Sequence, residues 1–510
     1  MTKDRIAPLE PYDEHNQKLE SNVHPRDWKN PVPNGKYNLV VIGAGTAGLV
    51  AASGAAGMGA KVALIERELL GGDCLNVGCV PSKAIIASAH VMASAHDAKR
   101  FGVSIPEGTT VDFPAVMERM RKLRADISPH DSAQRFTDLG IDVFIGSARF
   151  SDPETIEVEG ARLEFAKAVI ATGGRASAPP IEGLDTVEYL TNETIFSLTE
   201  LPARLGVVGA GPIGCEMAQT FARFGSKVSM FTGQSGILPK EAPDAGSLIG
   251  KQLLHDGVQI FDYGSTLAIS RNDDGSITLR NEADESAEAI VVDKLLIAVG
   301  RAPNVKGLGL EAACVDYDEK SGVHVNDKLQ TTNKRVYAAG DVCSKFQFTH
   351  AADFMARNVI RNALFGGRAK VSDLVIPWTT YTSPEVAHVG PTWRELDKLS
   401  HEIDEFSLDM SKVDRAILEG ETDGFVRIFV RKGSDKIVAA TIVAKNAGDM
   451  ISQVSQAMTA GVGLGKIAST ISPYPTQGEA IRKVGDLYNR TKLTPTVAKL
   501  FKKWLEWSRR

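Results

Sequence analysis

The feature that most constrains the fold is a strand–glycine turn–helix–strand pattern that occurs twice in the chain. The first copy, YNLVVIGAGTAGLVAASGAAGMGAKVALIE, begins at residue 37, and the second, ARLGVVGAGPIGCEMAQTFARFGSKVSMFT, begins at residue 203. Each copy joins two apolar strands through a turn with three spaced glycines and a helix, which is typical of a βαβ unit. Two such units predict an α/β chain with two Rossmann-like nucleotide-binding domains.

The first glycine turn has the spacing of a dinucleotide-binding loop. Gly43 permits the tight turn, Gly45 lets the backbone approach a pyrophosphate, and Gly48 lets the helix pack closely on the strand. The N-terminus of the following helix offers N–H groups to the phosphates. Glu66, at the end of the next strand, can accept hydrogen bonds from a ribose hydroxyl. The sequence therefore predicts a bound dinucleotide here.

The second turn repeats this spacing with Gly209, Gly211 and Gly214. The next strand ends at Thr232, where an acid would otherwise hold a ribose diol. Thr232 does not repel a 2′-phosphate, but no arginine stands nearby to bind one. A degenerate nucleotide domain is the alternative interpretation.

Composition and cysteine usage limit the functional class. A chain of 510 residues has room for two to four domains, and a net charge of −5 gives no reason to expect nucleic acid. Five irregularly spaced cysteines do not resemble an extracellular disulfide framework, so we expect a reducing compartment, the cytoplasm. The N-terminal stretch has no apolar core of a secretory signal, and no stretch approaches the roughly 20 apolar residues of a membrane span.

The segment GGDCLNVGCVPSK, residues 71–83, contains Cys74 and Cys79 and follows Glu66 closely. Together with GAGTAG, ATGG, GAGPIGCE, AVGRAPN and VYAAGDV, it resembles the FAD-dependent pyridine nucleotide–disulfide oxidoreductases over roughly residues 37–490. That family includes dihydrolipoamide dehydrogenase, glutathione reductase and mercuric reductase. The resemblance implies an FAD-binding and an NAD(P)-binding Rossmann-like domain, a C-terminal α+β dimerisation domain, and a homodimer.

The resemblance also implies roles for individual residues. Cys79 would lie against the flavin as the charge-transfer thiolate, near a helix N-terminus that lowers a thiol pKa. Cys74 would be the outer thiol that meets the acceptor, and Lys83 and Glu216 would form an ion pair beside the flavin. The cofactor-binding residues that it implies are Gly43, Gly45, Gly48, Glu66, Lys83, Thr172, Gly173, Asp341, Phe348, Thr349, His350, Gly209, Gly211, Gly214, Thr232 and Gly300. With Thr232 in the second domain, we expect weak discrimination between NADH and NADPH and a modest preference for NADPH.

One motif departs from the pattern of the disulfide reductases. Those enzymes carry His-Pro-Thr with a Glu five residues after the His, and the partner subunit supplies the pair. The matching stretch here is SPYPTQGE, which places Tyr474 at the His position and Glu479 at the acid position. Unperturbed tyrosine titrates near 10 and histidine near 6.5, so Tyr474 is a poor general base at neutral pH. A tyrosine that only packs at the dimer interface is the alternative.

Mercuric reductase also carries a tyrosine at this position, and a soft cation needs thiolates rather than a histidine. Many mercuric reductases have a C-terminal vicinal cysteine pair and an N-terminal metal-binding domain, and this sequence is expected to lack both. We therefore predict an FAD-dependent NAD(P)H oxidoreductase that passes electrons through a redox-active Cys74–Cys79 disulfide to an external acceptor. No resident metal is expected, but a soft metal ion could bind transiently at these thiols as substrate.

Two alternative functions stay open. One is a disulfide reductase of the dihydrolipoamide dehydrogenase or glutathione reductase type, whose acceptor is a small thiol compound or a protein. The other, from a different class, is a flavoprotein redox sensor or docking component with little turnover.

The predicted organisation has six parts. They are an N-terminal extension at 1–36, the FAD-binding domain in two parts at 37–190 and 301–369, the NAD(P)-binding domain at 191–300, the dimerisation domain at 370–490, and a basic helix at 491–510. Within the dimerisation domain, GFVRIFVRKGSDKIVAATIVAK predicts a β-hairpin and the stretch around 447–485 predicts helices.

Two further predictions concern the C-terminal helix and the three remaining cysteines. The C-terminal helix carries Lys502, Lys503, Arg509, Arg510, Trp504 and Trp507. It is either a solvated helix or a contact for an anionic membrane or a membrane partner. The remaining cysteines, Cys215, Cys314 and Cys343, are predicted to be ordinary core residues.

Overall fold

The computed structural model describes residues 9–233, 236–284 and 286–510. They form two compact units. Unit 1 comprises the described residues through Gly209 together with Thr220–Phe231 and Tyr263–Leu374. Unit 2 comprises the described residues of Ala210–Gln219, Thr232–Asp262 and Val375–Arg510. The boundaries of the six predicted segments differ from this division and stay predictions.

The helices and strands of the described residues are as follows. The α-helices are α1 Glu14–Val23, α2 Thr46–Gly57, α3 Gly72–Asn76, α4 Cys79–His96, α5 Phe113–Ile127, α6 Ala133–Asp138, α7 Pro212–Phe224, α8 Pro243–His255, α9 Thr349–Phe365, α10 Trp393–Lys398, α11 Asp414–Glu419, α12 Ala447–Thr459, α13 Leu464–Ala468, α14 Glu479–Thr491 and α15 Pro495–Trp507. The strands are β1 Tyr37–Ile42, β2 Val62–Glu66, β3 Asp142–Ile145, β4 Ala148–Asp152, β5 Thr155–Val158, β6 Ala161–Ile170, β7 Gly174–Ala176, β8 Arg204–Val208, β9 Lys227–Thr232, β10 Gln259–Asp262, β11 Leu267–Arg271, β12 Ile277–Asn281, β13 Ile290–Val292, β14 Lys294–Ile297, β15 Arg301–Pro303, β16 Tyr317–Asp318, β17 Gly322–Val323, β18 Val336–Ala338, β19 Pro377–Thr380, β20 Glu385–Val389, β21 Ile403–Asp409, β22 Phe425–Arg431 and β23 Ile437–Ala444. Short 3₁₀ helices are Asp97–Phe101, Ser128–Asp131, Leu184–Thr186, Ile195–Ser197, Gly264–Thr266, Val371–Asp373 and Met410–Lys412.

The largest sheet of unit 1 is built around β1. Parallel pairing places β1 between β2 and β6, with β3 beyond β2 and β18 also paired to β6. Val40 of β1 is in register with both Ala63 and Ala168. Because β1 is a central parallel strand, it reads as the nearly unbroken apolar run YNLVVI. Its carboxyl end carries the first glycine turn, so the predicted β1–α2–β2 unit is confirmed.

The second predicted βαβ unit also forms. Parallel pairing joins β8 to β9 and to β14, and Val207 is in register with Met230 and with Leu296. The second glycine turn therefore follows the carboxyl end of a central strand, as the first one does.

The main sheet of unit 2 is antiparallel and has the order β19-β20-β23-β22-β21. The predicted hairpin is confirmed as β22 and β23, in which Val426 is in register with Ile442. The predicted helices are confirmed as α12, α13 and α14. Met450, Ile451 and Val454 of α12 recur at helical spacing and are buried in the same core cluster as the sheet.

A helix that the sequence analysis did not predict, α1, packs on unit 1. Leu19 and Val23 are fully buried, although the segment around them is polar. Arg124 of α5 donates to the side chain of Asn16 at 2.7 Å and to the carbonyl of Asn76 at 2.6 Å. One buried guanidinium thus holds α1 against the end of α3, the helix that carries Cys74. Residues 1–8 of the predicted extension lie outside the described residues.

Among the described residues, one helical stretch, Gly72–Phe101, is long and apolar enough to cross a membrane by length and composition alone. It contains α3 and α4, and a third of its most apolar window is buried inside the protein. Core helices of soluble proteins satisfy the same criterion. The expectation that the chain has no membrane span therefore stays a prediction.

Candidate active site

The first glycine turn forms a cradle that leaves no room for side chains. Gly43 has a φ of +98°, and a Cβ on it would lie 2.4 Å from the carbonyl oxygen of Ala171. A Cβ on Gly48 would lie 1.7 Å from the carbonyl oxygen of Gly43. Gly45 caps α2 without a side-chain hydrogen bond, which leaves the first N–H groups of the helix for a ligand. This cradle fits the pyrophosphate of a dinucleotide such as FAD.

Glu66 stands at the end of β2, as predicted, and it already binds two backbone groups. Its carboxylate accepts hydrogen bonds from the N–H of Ala44 at 2.6 Å and the N–H of Glu68 at 2.8 Å. Burial raises the pKa of Glu66 against the lowering effect of these donors. The carboxylate is therefore fixed in orientation and keeps lone pairs for a ribose hydroxyl.

The cysteine segment passes directly over this cradle. Gly72 has a φ of +56°, and a Cβ there would lie 2.7 Å from the Cα of Gly45. Cys74 lies in α3 and is half-buried, whereas Cys79 begins α4 and is exposed. Two effects raise the pKa of the Cys74 thiol: the larger is a hydrogen bond with Cys79, and the next is burial. The raised pKa favours the protonated thiol on Cys74 at neutral pH, and the role of Cys79 as the charge-transfer thiolate stays a prediction.

Two helix N-termini meet at the Cys79 sulfur. Cys79 is the first residue of the 18-residue α4, and Thr349 is the first residue of the 17-residue α9. The Thr349 Oγ1 lies 3.4 Å from the Cys79 Sγ. Both helix dipoles present their positive ends here and favour a thiolate. Lys83 lies one helical turn after Cys79 on the same face of α4 and is half-buried.

The two predicted residues on either side of Thr349 have side-chain rings that stack on each other. Phe348 and His350 stack with their ring centroids 5.5 Å apart and their planes 8° from parallel. They flank the N-terminus of α9, on either side of the residue that contacts Cys79.

An arginine that the sequence analysis missed joins two acids near the thiols. Arg301 donates to Asp73 at 2.5 Å and to the carbonyl of Gly174 at 2.8 Å, and its Nε lies 3.3 Å from the carboxylate of Asp341. Asp73 directly precedes Cys74, so Arg301 neutralises a charge next to this cysteine. Burial raises the pKa of Asp341, while the charge of Arg301 lowers it. The sequence could have indicated this residue, because Arg301 belongs to the AVGRAPN motif.

Hydrogen bonds join the ATGG and AVGRAPN motifs. The Thr172 hydroxyl donates to the carbonyl of Asn304 at 2.7 Å, and the Asn304 side chain donates back to the carbonyl of Thr172 at 3.0 Å. The N–H of Asn304 also donates to the carbonyl of Gly173 at 3.0 Å. Asn304, which was not among the predicted residues, thereby fixes the ATGG turn that contains two of them.

A second missed residue, Asp131, lies beside the cysteine segment. Its Oδ2 is 3.0 Å from the position that a Cβ on Gly71 would occupy. Burial raises the pKa of Asp131, and its charge adds to the rise in the pKa of Cys74. Asp131 is thus a carboxyl group of the same unit whose charge acts on Cys74.

The second glycine turn has the backbone that its spacing predicts. Gly209 has a φ of +111°, and a Cβ there would lie 2.6 Å from the carbonyl oxygen of Ala298. A Cβ on Gly211 would meet no atom within 4 Å, and Gly300 has a φ of +108° with similarly open space. Gly214 is buried in α7. The open space beside Gly211 leaves room for a ligand to approach the backbone of this turn.

Two predicted residues of unit 2 are buried and hydrogen-bonded. Glu216, on α7, accepts from the N–H of Tyr381 at 2.9 Å. The Thr232 hydroxyl donates to the carbonyl of Phe261 at 3.4 Å. Glu216 belongs to unit 2 and Lys83 to unit 1, and their predicted ion pair stays a prediction.

Tyr474 donates a hydrogen bond to an acid that the sequence analysis did not identify. Its hydroxyl lies 2.8 Å from the Asp414 Oδ2, and the side chain is 68% exposed. This hydrogen bond raises the pKa of Tyr474. Glu479 is buried and forms ion pairs with Arg482 at 2.8 Å and Lys483 at 3.7 Å. The placement of Tyr474 at the dimer interface stays a prediction.

The three remaining cysteines differ from one another. Cys215 is buried, burial raises its pKa to about 12, and its core assignment is confirmed. Cys343 packs half-buried against the core of unit 1. The core assignment of Cys314 is wrong, because this residue is exposed in a turn with a φ of +55°. Within the described ranges, no group of three His, Cys, Asp or Glu side chains could hold a metal ion.

Comparison with known proteins identifies the family. The pyridine nucleotide-disulphide oxidoreductase family matches residues 37–356, and its dimerisation domain matches residues 376–484. A mercuric reductase of Streptomyces lividans is 35% identical over 474 residues, which cover 91% of this chain and 98% of the relative. A dihydrolipoyl dehydrogenase of Bacillus subtilis (strain 168) is 32% identical over 461 residues, covering 88% of this chain and 96% of the relative.

Solved structures agree with this assignment. The HOCl-induced flavoprotein disulfide reductase RclA from Escherichia coli aligns with a TM-score of 0.78 and 29% identity, covering 88% of this chain and 100% of that chain. Its Cu(II) complex aligns with a TM-score of 0.78 and 28% identity, covering 89% and 100%. These matches confirm the predicted α/β fold class with a C-terminal dimerisation domain, and that domain supports a homodimer. The chain belongs to the pyridine nucleotide-disulphide oxidoreductase family, resembles mercuric reductases within it, and is an FAD-dependent oxidoreductase that uses a nicotinamide cofactor.

Proposed function

We propose that this enzyme passes electrons from NAD(P)H through Cys74 and Cys79 to a soft, thiophilic metal cation. The observation that carries the proposal is the hydrogen bond from Tyr474 to Asp414, which raises the pKa of the tyrosine above its already high ordinary value. A tyrosine held in this way keeps its proton at neutral pH. It is therefore a poor proton shuttle at the position where disulfide reductases have histidine.

Reduction of a disulfide requires such a shuttle. When the outer thiolate attacks a disulfide, the departing thiolate has a pKa near 8.5 and must be protonated to leave readily. A positioned acid–base group typically contributes about 10²–10⁴-fold to such a step. With Tyr474 in place of histidine, most of this contribution is lost.

A soft cation makes a different demand, because it needs two adjacent thiolates and no protonated leaving group. For mercuric ion the balanced reaction is NADPH + Hg²⁺ → NADP⁺ + H⁺ + Hg⁰. For cupric ion it is NADPH + 2Cu²⁺ → NADP⁺ + H⁺ + 2Cu⁺. The proton held on Cys74 must leave when the cation binds, and Asp131 is the carboxyl group placed near this thiol.

The residues that would hold FAD fit that group. The glycine cradle at Gly43–Gly48 accepts a pyrophosphate, and the oriented carboxylate of Glu66 suits a ribose. The half-buried carboxylate of Asp341 lies beside Arg301. When bound, FAD supplies the carrier that takes hydride from the nicotinamide and delivers two electrons to the sulfur pair.

The relatives support a metal acceptor without deciding which one. Mercuric reductases are 30–35% identical to this chain, and RclA has been solved as a Cu(II) complex. The alternative acceptor is a disulfide, which the similarity to dihydrolipoyl dehydrogenase favours.

For the electron donor, we propose weak discrimination with a modest preference for NADPH. Thr232 carries no charge that would repel a 2′-phosphate, and its hydroxyl is already bonded to Phe261. Stopped-flow reduction by each nucleotide measures the ratio. A preference for NADH above roughly 100-fold, about 2.7 kcal/mol, would contradict this assignment.

For the compartment, we propose the cytoplasm. The five cysteines are irregularly spaced and do not resemble an extracellular disulfide framework, which suits a reducing environment. Fractionation of the native host, with the enzyme followed by its NADPH-dependent activity, tests this location.

The experiment for the acceptor is a steady-state comparison of Hg²⁺ and Cu²⁺ with lipoamide and glutathione disulfide, with NADPH as donor. Cys74→Ser and Cys79→Ser should each abolish turnover with the cations. Cys314→Ser is the matched control, since Cys314 is exposed and lies outside the site, and it should keep wild-type rates. A kcat/KM of roughly 10⁶ M⁻¹s⁻¹ or more for either disulfide, within the range of efficient enzymes, would overturn the metal assignment.

A further inference from the structure

The helix α15, Pro495–Trp507, is amphipathic and solvated on all sides. Thr494 caps it by accepting from the N–H of Val497 at 3.3 Å, and Pro495 occupies its first position. Within the described chain, no side chain of α15 is buried. The helix is therefore capped and formed with its apolar side chains exposed, apart from the half-buried Val497.

The apolar side chains of α15 lie on one face. Val497, Leu500, Phe501, Trp504 and Leu505 recur at i, i+3, i+4, i+7 and i+8, which places them along one stripe. All but Val497 are between 54% and 64% exposed. Trp507, 65% exposed, stands at the edge of the stripe with its ring centroid 5.3 Å from that of Trp504.

The opposite face is cationic. Within α15 this face carries Lys499, Lys502 and Lys503 and one carboxylate, Glu506; Arg509 and Arg510 follow directly after the helix ends at Trp507. The segment therefore has a net charge of +4 in a chain whose net charge is −5. A helix with an apolar, tryptophan-bearing stripe and a lysine- and arginine-rich polar face is typical of one that lies in a membrane interface.

We propose that α15 docks this enzyme on an anionic lipid surface. Its stripe enters the boundary between headgroups and acyl chains, while Lys502, Lys503 and their neighbours contact the phosphates. The dimerisation-domain match ends at residue 484, before α15 begins. Pairing of α15 with its copy is disfavoured because two such cationic segments repel. The inference is independent of the identity of the electron acceptor.

The test uses the full-length, FAD-loaded enzyme and co-sedimentation with vesicles. Vesicles of phosphatidylcholine with about 30% phosphatidylglycerol are compared with pure phosphatidylcholine. We expect binding to the anionic vesicles, and we expect it to weaken strongly when NaCl rises from about 0.1 M to about 0.5 M. The tryptophan emission should shift to the blue on binding.

The variants separate the two contributions to binding. Lys502→Gln/Lys503→Gln should weaken binding about 25-fold, because each cation near an anionic surface contributes about five-fold. Trp504→Ser/Trp507→Ser should weaken it at least about ten-fold per tryptophan and abolish the blue shift. Val32→Ser, which removes an exposed apolar side chain outside α15, is the matched control and should bind as wild type.

Three results would overturn the proposal. The first is equal binding of the wild-type enzyme to neutral and anionic vesicles, or binding to neither. The second is retention of binding by both double variants. The third is a change in oligomeric mass for Trp504→Ser/Trp507→Ser in light scattering, which would mean that the stripe joins copies of this chain.

Discussion

Replacing Tyr474 with histidine should improve the reduction of disulfides by this enzyme. At neutral pH an ordinary tyrosine, with a pKa near 10, is ionised to about one part in a thousand. The hydrogen bond to Asp414 raises the pKa of Tyr474 further, so its hydroxyl exchanges protons even less readily. A histidine at this position titrates near 6.5, and the carboxylate of Asp414, 2.8 Å from the present hydroxyl, would favour its protonated form.

The expected gain follows from general acid–base catalysis. Because a positioned acid contributes about 10²–10⁴-fold, and the side chain at 474 is largely exposed, we expect Tyr474→His to gain about 10²-fold. The assay is kcat/KM for lipoamide and glutathione disulfide between pH 6 and 9. The gain should be largest near pH 7 and should decline at higher pH, as the histidine loses its proton.

Tyr474→Phe is the matched control, since it keeps the ring and removes the only proton in question. It should change kcat/KM for disulfides by less than about three-fold. A Tyr474→His variant with no gain would refute the reasoning. So would a loss of ten-fold or more in Tyr474→Phe, because the tyrosine would then be the proton donor.

Three further predictions concern the thiols and their support. Thr349→Val removes the hydroxyl that lies 3.4 Å from the Cys79 sulfur. The pH midpoint for alkylation of Cys79 by iodoacetamide should therefore rise by about one unit, or about 1.4 kcal/mol. Thr349→Ser, which keeps the hydroxyl, should leave this midpoint unchanged. Asp131→Asn removes a negative charge that raises the pKa of Cys74, so the Cys74 thiolate should form at lower pH. The measurement is the pH profile of alkylation in the Cys79→Ser background, and an unchanged profile would count against an effect of Asp131 on Cys74. Asn16→Ala leaves the buried guanidinium of Arg124 without one acceptor, so it should lower the free energy of unfolding, measured in urea, by about 1–3 kcal/mol. The control Gln17→Ala, at an exposed site, should change this free energy by less than about 0.5 kcal/mol.

The parts of the fold that the sequence predicted are those with a local signature. The β1–α2–β2 unit is encoded by an apolar run, three spaced glycines and a second apolar run within thirty consecutive residues. The hairpin of β22 and β23 is encoded by alternation of side chains around a short turn. In both cases the residues that decide the structure are close in the sequence.

The contacts that the sequence did not predict join distant residues. Arg301 and Asp73 are 228 residues apart, and Tyr474 and Asp414 are 60 apart, so no local spacing links them. Helix α1 was missed because its segment is mostly polar, and its buried apolar side chains, Leu19 and Val23, are too few to give a clear helical pattern. The exposure of Cys314 follows from a turn with a positive φ, which a composition-based expectation of burial does not include.

The most direct test of the central claim isolates the acceptor half of the reaction. The enzyme is reduced anaerobically with one equivalent of NADPH and mixed in a stopped-flow instrument with equal concentrations of Hg²⁺ or lipoamide. Reoxidation is followed by flavin absorbance, and Cys74→Ser serves as the blank. The account predicts that the cation reoxidises the wild-type enzyme at least about 100-fold faster than lipoamide, in line with the missing acid–base contribution. Reoxidation by lipoamide at the same rate as by the cation, or faster, would contradict it.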